Sequence, residues 1–112
     1  MSDQGQSSVK PAEVKRLVDL LQYQAGSVVS HVLLKNKGGT ITLFAFGEGE
    51  GLSEHTAPFD ALVVVIQGEA DIEIAGESFR VSEGETITLP ANRPHAVKAA
   101  SNFKMLLTMI RA

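Results

Sequence analysis

From Ser27 onward the chain falls into short stretches of β-branched and other apolar residues, each closed by Gly, Pro or Asn. That rhythm, more than any other feature, limits the fold, because evenly spaced short strands with turn signals between them close into a sandwich or a barrel. The stretches are Ser27 to Leu34, Thr40 to Phe46, Asp60 to Gln67, Ala70 to Ile74, Glu77 to Val81, Thr86 to Leu89, His95 to Ala99 and Phe103 to Ile110. Between Asp71 and Val81 polar and apolar residues alternate around Ala75-Gly76, the pattern of a hairpin with one wet face. Ala61 to Ile66 is apolar on both faces, so that strand is expected to be covered on both sides, by the partner sheet or by a second copy of the chain. Ahead of the strands, Val14, Leu17, Val18 and Leu21 recur at helical spacing after Pro11, which predicts a short helix.

The 112 residues fit one domain, read as residues 11–112, after a polar segment, residues 1–10, expected to be flexible. A chain of this size can support a core without a staple, and it has no Cys. Thiol nucleophiles, Cys-based zinc sites and Fe–S clusters are therefore excluded, and any metal would be held by His and carboxylate. Lys and Arg number 10 against 13 for Asp and Glu, a net charge of -3, so nothing draws the chain to a phosphate backbone or an anionic membrane. No apolar run approaches the ~20 residues of a membrane helix, and Met1 to Lys10 has no apolar core of a signal peptide. A cytoplasmic protein is expected.

Two segments carry the chemistry. Gly49, His55 and Gly68 frame the first, and Gly84, Pro90 and His95 the second. At these spacings the chain resembles the cupin superfamily. Its first motif runs Gly, five residues, His-x-His, three or four residues, Glu, six residues, Gly. Its second runs Gly, five residues, Pro-x-Gly, two residues, His, three residues, Asn. The resemblance implies an all-β double-stranded β-helix, a small jelly-roll barrel, here with a short N-terminal helix, and commonly a homodimer. It also implies a divalent metal, Fe, Mn, Ni, Cu or Zn, on three histidines and one Glu. Of those four ligands only His55 and His95 are present; Ala57 and Ala61 stand at the second His and the Glu, and Asn92 and Ala99 replace the Gly and Asn of the second motif.

Two functions from different classes follow. In the first, a small polar molecule binds in a barrel pocket lined by His55, Ala57, Phe59, Ala61 and His95, with Phe44, Phe46, Met105 and Met109 deeper, and the two alanines leave room for it. In the second, His55 and His95 hold a divalent metal, with Asp60 as a substitute carboxylate if a bulge at Pro58 turns it inward, and an oxidation or isomerisation proceeds there. The plainer reading of both histidines is hydrogen bonding to backbone or to each other at the barrel mouth. His31 has no motif around it and reads as a surface or interface residue, Arg93 as an exposed turn residue or a carboxylate contact, and Glu48, Glu50 and Glu54 as a solvated acidic loop.

Overall fold

Residues 10–111 are described by a computed structural model. Among them the expected strands form with few changes: β1 Val28–Asn36, β2 Gly39–Phe46, β3 Gly51–His55, β4 Asp60–Gln67, β5 Glu69–Ile74, β6 Glu77–Ser82, β7 Thr86–Leu89, β8 His95–Ala99 and β9 Phe103–Ile110. They make two antiparallel sheets, ordered β1-β2-β9-β4-β7 and β3-β8-β5-β6, packed face to face as a jelly roll. The strand missing from the sequence reading is β3. Gly51-Leu52-Ser53-Glu54-His55 has one apolar residue, Leu52, which is half-buried against the core, and lies at a sheet edge.

Alternation decides what each strand buries. Phe44 and Phe46 of β2, Ala61, Val63 and Val65 of β4, and Phe103, Met105, Leu107 and Met109 of β9 meet Ile72, Val81 and Val97 of the other sheet between the layers. At one end of this core Phe46 and Phe103, both fully buried, stack with ring centroids 4.4 Å apart and planes 7° from parallel. Ala75 and Gly76 close the β5–β6 hairpin with positive φ at both residues, the backbone that a two-residue turn requires.

The N-terminal segment departs from the expected helix. Only Leu17–Asp19 winds, as a single 3-10 turn, Ala12 stands in the left-handed region, and Val14 is 97% exposed. The apolar spacing serves a different purpose: Leu17, Leu20, Leu21 and Tyr23 lie along the outer face of the five-stranded sheet, on Leu43, Ala45, Ile66 and Leu106. Lys104 ties this arm to the sheet. Its buried ammonium donates to the Val18 carbonyl at 2.6 Å, and it lies 4.9 Å from the centre of the Tyr23 ring. The Tyr23 hydroxyl in turn donates to Gln67 Oε1 at 2.6 Å; burial, helped by the Glu83 carboxylate, keeps that phenol protonated to higher pH than usual.

This arm covers part of the outward side of β4, the side left open by its doubly apolar sequence. Toward the other end, Leu34, Ile41, Thr108, Leu62 and Thr88 stand in one transverse register across all five strands, with Leu34 58% and Leu62 41% exposed. His31, paired with Leu43, is exposed on β1. Among the described residues no helix is long and apolar enough to cross a membrane. The segment 1–10, expected to be flexible, lies outside the described residues except for Lys10.

Candidate functional site

The two motif histidines meet at the end of the barrel opposite the Phe46–Phe103 stack. His55 closes β3, His95 opens β8, and the two are in register. The same row continues through Ile74 of β5 to Glu77 of β6. Across the barrel, the five-stranded sheet brings Ala61 and Met109 to this end, paired with each other. Residues 56–59 cross between the sheets and are not strand, so the regular run from 55 to 61 that sequence suggests is broken at the mouth. The crossover is pinned by the Ala57 carbonyl, which accepts from the Asn92 N–H at 2.8 Å.

Each imidazole is oriented by backbone. His55 Nδ1 donates to the Ser53 carbonyl at 2.9 Å and His95 Nδ1 to the Arg93 carbonyl at 3.2 Å. A carbonyl can only accept, so a neutral ring that keeps this contact carries its proton on Nδ1 and leaves Nε2 as an acceptor. Their Nε2 atoms face each other at 3.1 Å, with the rings at 71°. Two lone pairs therefore converge on one point, an arrangement completed by a donor, a shared proton or a cation. His95 is 8% exposed, whereas His55 faces solvent. Burial, reinforced by the neighbouring His55 and partly offset by the Arg93 carbonyl, holds the His95 pKa below its ordinary 6.5.

A pH dependence follows. Unfolding frees His95 to take a proton that the folded chain resists, so its contribution to stability is complete above about pH 6.5 and is lost as pH falls toward the depressed folded value. Urea midpoints at pH 7.5 and pH 5 are expected to show a larger acid loss for the native chain than for His95→Gln, which has no proton to take.

The remaining candidates divide by position. Asp60 points away from the mouth: it lies on the outward side of β4, and its Oδ1 accepts the Ala91 N–H at 2.9 Å, tying the β7–β8 turn to β4. No bulge at Pro58 turns it inward. Among the described residues no three His, Asp or Glu side chains gather as a metal-binding group. Phe46 and Met105 lie in the core, Phe46 at the far end, while Phe44, Phe59 and Met109 are half-buried. Ala61, 7% exposed, belongs to the core beneath the mouth. Arg93 is exposed in the turn that sets His95. Glu77 went unnoticed in the sequence, although it is two residues from Phe79 and four from Val81, both core-facing, so alternation already placed it on the inner side of β6. A separate groove of about 420 Å³, lined in part by Ser53, Asp71, Glu73, Ser78 and Lys98, lies on the outward side of the four-stranded sheet.

Comparison with known proteins agrees with this architecture. Residues 42–111 match the family model for the cupin domain. The chain belongs to the cupin family. A conserved protein of unknown function from Streptococcus pyogenes is 31% identical, and its crystal structure superposes with a TM-score of 0.91 over 100% of this chain and 98% of that one. A cupin superfamily protein from Desulfitobacterium hafniense is 27% identical, with a TM-score of 0.87 over 93% of this cupin and 95% of the other. An uncharacterised protein of Aquifex aeolicus is 25% identical over 101 residues, 88% of this cupin and 84% of its own length. The fold and family are thus those that the motif glycines and histidines imply, and the N-terminal helix is reduced to a 3-10 turn.

Proposed function

We propose that this cupin binds a small polar molecule at its barrel mouth, without metal-dependent turnover, and that the ligand donates hydrogen bonds to the Nε2 atoms of His55 and His95. The observation that supports this is the commitment of both Nδ1 atoms to carbonyls, which leaves a fixed pair of acceptors aimed at one point. Such a pair selects hydroxyl, amide or ammonium donors, and its backbone tethers mean that little order has to be created on binding. A thermal-shift panel of small alcohols, amides and hydroxy acids in metal-free buffer tests it. At about a hundred times its Kd a true ligand adds about 2.7 kcal/mol of stability. The native chain is expected to respond to at least one compound and the His55→Ala, His95→Ala double variant to none; tightly held stoichiometric metal in untagged protein would sink the reading.

A second reading has its own support. Two nitrogens each about 2.05 Å from one ion and 3.1 Å apart subtend about 98° at it, within the range of ordinary coordination. His55 and His95 would then hold Fe, Mn, Ni, Cu or Zn, with water or substrate at the remaining positions, since Asp60 is spent on Ala91. Metal content of the native chain near one equivalent, lost in the double variant, is the result this reading requires.

Self-association belongs to the same proposal. The row Leu34, Ile41, Thr108, Leu62 and Thr88 carries no charge and suits a second copy packed sheet on sheet. Light scattering is expected to give about twice the chain mass of 11.9 kDa, and Leu62→Lys to shift it toward the monomer; a monomeric native chain refutes the dimer. The cytoplasmic location expected from the sequence is part of the same proposal.

A further inference from the structure

The rim opposite the histidine pair carries a charge that the motifs do not announce. The ladder between β2 and β9 runs one residue past Ile110, because the Arg111 N–H donates to the Gly38 carbonyl at 2.9 Å. Arg111 therefore falls on the side of β9 that Leu107 and Met109 occupy, the inner one. Phe59 precedes β4 by one residue, at the end of the crossover. The two side chains meet there, with the guanidinium 5.5 Å from the centre of the Phe59 ring. An arginine laid on an aromatic face is held in place while its N–H donors remain available. Among the described residues no carboxylate pairs with it.

Phe59 and His55 are the two ends of one crossover, four peptide steps apart, so their Cα atoms are separated by about 14 Å at most. The acceptor pair sits at the His55 end of this crossover and the guanidinium at its Phe59 end. Glu77 occupies the far end of the histidine row, on the side of His95 away from His55, and its charge disfavours an anion in that corner.

We propose that the mouth selects small hydroxy acids, the ligand's carboxylate pairing with Arg111 over Phe59 while its hydroxyl donates to the His55–His95 pair. This rests on the binding reading above and names the class of its ligand. The recognition is a charge-assisted, bidentate contact at one end and an acceptor pair at the other, so a ligand lacking either group loses affinity.

The test uses 4-hydroxybenzoate and its neutral analogue 4-hydroxybenzamide as probes, titrated into the full chain labelled with nitrogen-15. Histidine Nε2 and backbone resonances at the mouth report binding. The acid is expected to bind about tenfold more tightly than the amide, the equivalent of one charge-assisted hydrogen bond. Arg111→Gln is expected to erase that preference and Lys37→Gln, which removes the same charge from the exposed β1–β2 turn, to keep it. Equal binding of acid and amide by the native chain overturns the role of Arg111 while leaving a ligand at the histidines intact. Equal losses in the Arg111 and Lys37 variants overturn it as well, by tracing the preference to net charge. No shift at the mouth with 4-hydroxybenzoate overturns the hydroxy-acid class, and the broader thermal panel then decides separately whether the histidine pair binds anything.

Discussion

Phe103→Ala is expected to destabilise the protein by about 3–5 kcal/mol, the range for removing a large aromatic side chain from a closed core. Phe103 is fully buried, and the vacated space faces Phe46, whose ring stacks on it at 4.4 Å and would lose one whole face of contact. The backbone on both sides is locked by ladders, β9 lying between β2 and β4, so the strands have little freedom to collapse into the gap. Urea denaturation at pH 7.5 measures it, the midpoint falling with the slope unchanged. A loss below about 1 kcal/mol would mean that the stack is not a rigid part of the core.

Gly68→Ala is expected to cost about 3 kcal/mol, from left-handed backbone and from collision together. Gly68 has φ +79, and a Cβ there would stand 2.1 Å from the Asn102 carbonyl oxygen and 2.8 Å from the Phe103 Cβ. Gly84→Ala is the matched control: φ is +85, but nothing lies within 4 Å of the added carbon. Its cost is expected to be about 1–2 kcal/mol, that of the backbone conformation alone. Equal losses at the two positions, read as urea midpoints, would show that the contact with Asn102 relaxes freely. The comparison separates two reasons for a motif glycine, since Gly68 is required for space as well as for φ, and Gly84 for φ only.

Much of the fold is legible in the sequence. Residues that alternate or run apolar between Gly and Pro signals marked eight of the nine strands, several to the residue, because burial on one or both faces writes its period directly into the chain. β3 was lost because an edge strand with Leu52 as its one apolar residue writes no period. The N-terminal helix was misread for the opposite reason: Val14, Leu17, Val18 and Leu21 have a helical period, but a flat sheet surface can collect the same residues from an extended arm, and only the distant Lys104 reveals that the Val18 carbonyl is engaged elsewhere. At the site, the motif spacing located His55 and His95 but not the direction of their lone pairs, which depends on the carbonyls of Ser53 and Arg93. Asp60 shows the limit of position counting, since its place near His55 in sequence says nothing of the Ala91 amide it serves. Glu77 and Arg111 were within reach, because both continue an alternation already recognised, in β6 and in β9.

The stacked phenylalanines and the paired histidines occupy opposite ends of the same barrel, with most of the length of β9 between them. Mutational load is partitioned accordingly. Variation at 55–59, 91–95 and 111 can alter what the mouth accepts while the end closed by Phe46 and Phe103 goes on supplying the stability that such variation consumes, because sites this far apart contribute almost additively. A library randomised at the mouth should therefore retain a high fraction of folded members, and new specificities can be screened on this scaffold without stabilising substitutions being introduced first.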